Sequence, residues 1–292
     1  HLMVGAYSNF FELLSKLGTL EHLYFQKFFS VNFLTKSKSF NFSYGRFGKL
    51  SQFLSLLNLP GISLNDKRNA VNFLDKMQKG ILSTSKTALE ILYQFKFSDK
   101  IIEVLWRPLI LATMNTQPEI ASGDIFINIL KLAFFRDNNS ARLVFSNVPL
   151  NELLIPFFDK FPNENRNINF QKIVASVDKI DDNKFKIKLK SGEEYTYDAV
   201  IFALTPFALK KIETNYHIPS LEEFEPSPIV SLYIWSEEDF MKEDFYALIG
   251  SNFQWIFREY SRSLRYTLTI SGADNYSNLS KNEIIEFAFR DL

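Results

Sequence analysis

The side chains able to do chemistry in this 292-residue chain are few, and their types narrow the choices quickly. There is no cysteine, which excludes thiol catalysis, disulfides and zinc-thiolate sites. The three histidines are far apart in sequence and leave little from which to build a metal site. No residue is identifiable as a general acid. What remains is aromatic and amide chemistry. Trp106 and Pro108 interrupt an apolar helical run, and Asn115-Thr116 follow as an amide-rich turn. Such a combination makes a rigid aromatic wall with few polar atoms, suited to confining an apolar ligand. Core packing at a helix–helix corner would use the same residue types equally well.

The elements that must position these residues centre on the stretch from Phe185 to Ile212. Phe185, Ile187 and Leu189 alternate with lysines, the period-2 pattern of a strand with one face buried. Ser191-Gly192 supplies a turn, and the alternation resumes at Tyr195 and Tyr197. The unbroken apolar run Ala199–Leu204 predicts a strand covered on both faces, as in a parallel sheet. Thr205-Pro206 then predicts a helix start, with threonine capping free amides and proline at the first helical position.

Before this stretch, helices are predicted over Tyr7–Gly18, Ala70–Gly80, Thr87–Leu111, Gly123–Phe135 and Leu150–Phe161. Phe28–Phe33 and Phe40–Tyr44 read as paired strands, and Asn58–Gly61 as a break. Arg142–Phe145 reads as a strand, and after the polar loop Asn163–Asn167 the segment Ile168–Ile180 leads into the organising stretch. After it, Ile229–Trp235, Trp255–Phe257 and Tyr266–Ile270 read as antiparallel strands, and Ser280–Glu283 as the capping box of a last helix.

Composition sets the outer bounds. With 46% hydrophobic residues the chain can fill a sizeable core. Its 33 acidic and 33 basic residues cancel, so no global field favours nucleic acid or an anionic membrane. The longest apolar stretch, Ile101–Met114, is interrupted by Glu103, Arg107 and Pro108, and is no membrane span. No signal peptide is visible, so the expected location is cytoplasmic. The 31 phenylalanines leave room for an apolar surface that touches lipid, peripherally on the inner membrane face.

Several segments resemble one family. The hairpin, apolar strand, Ala-x-x-Pro and amphipathic helix around Ala203 and Pro206 resemble the flavin domain of the amine oxidase and phytoene desaturase superfamily. Trp106, Pro108, Leu109, Ala112, Asn115, Thr116, Ala121 and Ser122 match eight positions within seventeen residues. That pattern is similar to the signature of the hydroxysqualene dehydroxylases, also called squalene-associated FAD-dependent desaturases. His1 with Gly5-Ala6-Tyr7, Val148-Pro149-Leu150, Val177–Ile180 and Gln254–Phe257 resemble further segments of that family, so nearly the whole chain is covered.

The resemblance implies an α/β (α+β) protein with an FAD/NAD(P)-binding, amine-oxidase-like fold and a helical and antiparallel-sheet substrate domain. The implied division is residues 1–140 mainly substrate domain, 141–215 part of the FAD-binding domain, and 216–292 substrate-domain sheet. It implies FAD contacts at His1, Val177, Ala203, Thr205 and Pro206, and a substrate wall at Trp106, Pro108, Asn115, Thr116 and Trp255. The implied reaction is reductive dehydroxylation of hydroxysqualene to squalene, with an isoprenoid lipid as substrate. A carotenoid desaturase or another amine-oxidase-like enzyme is the alternative within the class, and a flavin-free lipid-binding or interaction protein the alternative outside it. None of the 10 glycines forms GxGxxG, the turn that holds a dinucleotide pyrophosphate. The expectation is therefore a central portion of a flavoprotein with an incomplete cofactor domain, binding FAD poorly or not at all by itself.

Overall fold

The structure, a computed structural model, describes residues 2–36, 38–44, 62–80, 86–134, 136–137, 139–157 and 168–291. His1, the break predicted at 58–61 and the polar loop at 163–167 lie outside the described residues. The chain forms two compact units, residues 1–161 with 227–292, and residues 162–226. The described residues 139–157 lie in the first of these.

That unit begins with a short strand, β1 (Met3–Val4), and the helix α1 (Ser8–Leu17), which Gly18 ends in the left-handed conformation at φ 75°. Strands β2 (Leu23–Phe25), β3 (Phe29–Leu34) and β4 (Ser39–Tyr44) follow, and β3 and β4 pair antiparallel as their alternation predicts. The helical block comprises α2 (Leu64–Gln78), α3 (Ala88–Gln94), α4 (Asp99–Ile101), α5 (Arg107–Met114) and α6 (Gly123–Phe134). Thr87 and Glu90 close a reciprocal capping box at the start of α3. Asp66, buried in the first turn of α2, accepts from the Ser63 hydroxyl at 2.6 Å and from the Ser98 amide and hydroxyl at 2.8 Å each. One carboxylate thereby joins the start of α2 to the start of α4. Burial opposes its charge, but these hydrogen bonds prevail and hold the carboxyl below the usual aspartate range.

The interruption predicted at Trp106 and Pro108 is corrected by the structure. A π-helical turn, Ile102–Trp106, joins α4 directly to α5, and the Arg107 amide bonds to the Ile102 carbonyl five residues back. Proline, lacking an N–H, is accommodated by that wider turn without breaking the helix. Strand β5 (Leu143–Ser146) then pairs antiparallel with both β1 and β2, and the short helix α7 (Leu150–Leu154) follows.

The smaller unit is an antiparallel meander of β6 (Val174–Asp181), β7 (Lys184–Leu189) and β8 (Glu194–Tyr197). Gly192, at φ 93°, makes the β7–β8 turn, a conformation that favours glycine. Thr205 caps the four-residue helix α8 (Pro206–Leu209), and β9 (Glu213–Thr214) lies parallel to β6. The strand predicted over Ala199–Leu204 does not form. That run belongs to no sheet, and Ile201 is 91% exposed. Apolar residues become a strand only where neighbouring backbone satisfies their amides and carbonyls, and among the described residues no strand lies alongside.

The larger unit resumes with β10 (Val230–Trp235), β11 (Phe245–Leu248), β12 (Trp255–Arg258), β13 (Arg265–Ile270) and the helix α9 (Lys281–Asp291). With β3 and β4 they form a six-stranded sheet in the order β10-β13-β12-β11-β3-β4. All its pairs are antiparallel except β11 with β3. One face buries Tyr266, Leu268, Ile270 and Ile256 with Ile284 and Ala288 of α9. The other carries the candidate site.

Candidate functional site

Alternation along the strands dictates which side chains share that second face. Trp255, Thr269 and Ser231 lie in one row across β12, β13 and β10, and Phe257, Thr267 and Tyr233 in the next. At the β3 and β11 side the face is covered, with Val31, Phe33, Phe245, Ala247 and Trp255 buried together with Leu143 of β5. Stacked rings run through it, Phe245 with Phe257 at 6.2 Å and Trp255 with Phe257 at 6.2 Å between centroids. Toward the edge strand β10 it opens, and there Tyr233 is 58% and Trp235 68% exposed. The two rows contain no charged side chain. Their polar atoms are the indole N–H of Trp255, which is buried without a hydrogen-bond partner, and the hydroxyls of Thr267, Thr269, Ser231 and Tyr233.

Of the residues expected to form the substrate wall, Trp255 lies on this face. Trp106 is in the helical core, ringed by Phe73, Phe97 and Phe126 at centroid distances of 5.5, 5.4 and 5.9 Å. Pro108 is buried at the start of α5. Asn115 ends α5 at φ 50°, donates to the Ser227 carbonyl at 2.7 Å and accepts from the Gly272 amide at 2.8 Å. The Ser227 hydroxyl returns a hydrogen bond to the Asn115 carbonyl. Asn115 therefore clamps the helical block to the segments flanking β10 and β13, while the Thr116 hydroxyl bonds locally to the Met114 carbonyl at 2.9 Å. Arg107 braces the same turn, bonding Glu103 at 2.7 Å and Glu119 at 2.7 Å. Its hydrogen bond to Glu119 raises the arginine's pKa, and the same bond lowers that of Glu119.

Tyr233, Thr267 and Thr269 were not singled out by sequence. The alternation in Ile229–Trp235 and Tyr266–Ile270 reveals two faces per strand, but not which of them stays open.

On the opposite face, Arg258 is buried and bonds Asp239 at 2.9 Å, the Met241 carbonyl at 2.8 Å and the Ser263 carbonyl at 3.0 Å. Burial works against its charge, yet the hydrogen bond to Asp239 and the nearby carboxylates raise its pKa; the same bond depresses that of Asp239. A cavity of about 240 Å³ lies beside it, lined by Tyr24, Phe145, Asn147, Asp244, Glu259 and Tyr260 among others. With Asp239 and Asp244 both against the guanidinium, that charge is balanced within the fold. Among the described residues no group of three or more His, Cys, Asp or Glu could hold a metal ion. Nor is any described helix long and apolar enough to cross a membrane.

In the smaller unit, Val177 is 1% exposed within the meander, and Ala203 and Thr205 are exposed. The Thr205 hydroxyl accepts from the Ala208 amide at 3.3 Å and so serves its own short helix. No described buried side-chain polar atom of this unit lacks a partner. Together with the absence of a glycine-rich turn, these residues do not by themselves amount to a dinucleotide cradle.

The architecture has clear counterparts among solved structures. Wild-type putrescine oxidase bound to putrescine superposes with a TM-score of 0.70 at 10% identity, covering 99% of this chain and 68% of that one. A structure from Exiguobacterium sp. 255-15 carrying the name protoporphyrinogen oxidase gives 0.64 at 12% identity, covering 99% and 69%. A protein from Pyrococcus furiosus gives 0.61 at 12% identity, covering 99% and 70%. At such identities the likeness is one of fold, and the class is that of amine-oxidase-like mixed α/β proteins. No curated protein matches the chain in sequence. Residues 1–292 match the flavin containing amine oxidoreductase family, and the chain belongs to it. Membership implies an oxidoreductase that works with a flavin.

Proposed function

We propose that the protein is an FAD-dependent oxidoreductase whose substrate is a long isoprenoid, with dehydroxylation of hydroxysqualene to squalene as the leading reaction. The observation that carries this reading is the chemistry of the open sheet face. Its two central rows hold aromatic rings and hydroxyls, and no carboxylate. An ammonium group taken from water into such surroundings gains ring faces and hydroxyl oxygens but no counter-charge, which leaves part of its lost hydration uncompensated. A hydrocarbon loses nothing there and gains from burial. These two rows thus favour an apolar ligand over a diamine such as the putrescine bound by the oxidase of similar fold, and the Glu259 carboxylate in the row beyond is already paired with Arg265. Carotenoid precursors satisfy the same chemistry.

The test is binding of hydroxysqualene, phytoene and putrescine to this chain, followed by partition from detergent micelles for the lipids and calorimetry for the amine. Retention of an isoprenoid with no heat from putrescine is the expected result. Putrescine binding without isoprenoid retention overturns the reading in favour of amine oxidation. A second reading, a flavin-free lipid-binding protein, draws on the lack of a dinucleotide cradle in the smaller unit. Isoprenoid retention without conversion after FAD and a reductant are supplied would favour it.

A further inference from the structure

Trp255 and Trp106 both bury an indole N–H that has no hydrogen-bond partner. Buried donors without acceptors are rare because the lost hydration is not replaced, so each calls for a cause. For Trp106 the surroundings give no role beyond packing, since three aromatic rings fill the core about it and the site is closed. Trp255 differs. It stands 92% buried at the boundary where the covered half of the sheet face gives way to the open half (8% exposed). Its cross-strand partner is Thr269, and the next residue in the row is the exposed Ser231. Neither the Thr269 nor the Thr267 hydroxyl has a partner among the described residues. The Trp255 N–H and the Thr269 hydroxyl, neighbours in one row, are therefore both unmatched, while the charges of this face, Arg265 and its ion-pair partner Glu259, stand beside Trp235 two rows away.

Resting on the isoprenoid reading above, we infer that the Trp255 N–H and the Thr269 hydroxyl together recognise the one oxygen of a substrate that is hydrocarbon elsewhere, which makes Trp255 a specificity-determining residue. The indole N–H can only donate, so it takes an oxygen lone pair. The threonine hydroxyl can donate or accept, so it accommodates the hydroxyl proton of an alcohol. A ligand without oxygen leaves both unmatched. Discrimination of this kind, built on polar groups that an apolar analogue cannot satisfy, is stronger than discrimination by shape alone.

Trp255→Phe keeps a ring against Phe245 and Phe257 and removes the donor together with one ring of the indole, and Thr269→Val is isosteric. Radiolabelled hydroxysqualene and squalene are partitioned from detergent micelles onto the wild-type chain and onto each variant. The expected result is retention of hydroxysqualene reduced about tenfold in Trp255→Phe, and by a smaller factor in Thr269→Val, with squalene retention unchanged in both. Equal losses for the two ligands, or no loss for either, would mean that Trp255 only packs, and would overturn the inference while leaving the isoprenoid reading intact. If the wild-type chain retains neither ligand, the isoprenoid reading fails and this inference fails with it.

Discussion

Two tryptophans carry the contrast between the helical block and the sheet. Trp106 comes from a matched sequence motif, and Trp255 from a short strand pattern. Both are buried, at 5% and 8% exposure, and both lack a partner for the indole N–H. Their neighbours separate them. Phe73, Phe97 and Phe126 meet Trp106 edge-on or tilted from several sides, so that ring is a keystone of a closed core. Trp255 is stacked from within its own sheet, and two strands away the face is open at Tyr233. The lesson is that residue type and burial do not distinguish packing from recognition. What distinguishes them is whether the side chain's row of neighbours ends in core or in solvent.

The largest effect that would break this comparison is on stability. Trp106→Ala should destabilise the larger unit by about 3–5 kcal/mol, through lost burial and an aromatic-lined cavity. Denaturant unfolding measures it, and a loss under about 1 kcal/mol would mean that the helical core does not depend on Trp106. Next in size is the carboxylate that joins α2 to α4. Asp66→Ala should cost about 2–3 kcal/mol, since three hydrogen bonds to a buried charge are lost. Because the folded carboxyl is depressed below its ordinary value of 3.8, its contribution is present above that pH and disappears as pH falls through the lower folded value. Acid unfolding of the wild type should show that loss and the Asp66→Ala variant should not.

Trp255→Phe should cost about 1–2 kcal/mol, less than Trp106→Ala, because a ring stays in the stack and only part of the indole volume is lost. A loss as large as that of Trp106→Ala would erase the distinction between the two sites. Smallest of all is Tyr233→Ser at the exposed end of the row, expected within about 0.5 kcal/mol of wild type. Its effect should instead be weaker retention of both hydroxysqualene and squalene, because the ring offers apolar contact to either.

Much of this molecule was readable from one dimension. The alternation of β3 with β4, the glycine stop after α1, the Thr205 cap and the capping box at Ser280 and Glu283 all follow local rules, and local rules act within a few residues. Membership of the flavin amine oxidoreductase family is likewise written in the sequence. Other features needed the third dimension. The run Ala199–Leu204 has the composition of a central strand, but pairing depends on neighbours that its own residues cannot supply. The parallel contact of β11 with β3 joins segments more than two hundred residues apart, beyond the reach of any period. Asn115, part of a matched motif, becomes a clamp only because Ser227 and Gly272 arrive beside it. The same holds for the candidate site. Alternation gives each strand two faces, and only the packing of β5 on one half of the sheet and its absence from the other decides where a ligand could meet Trp255.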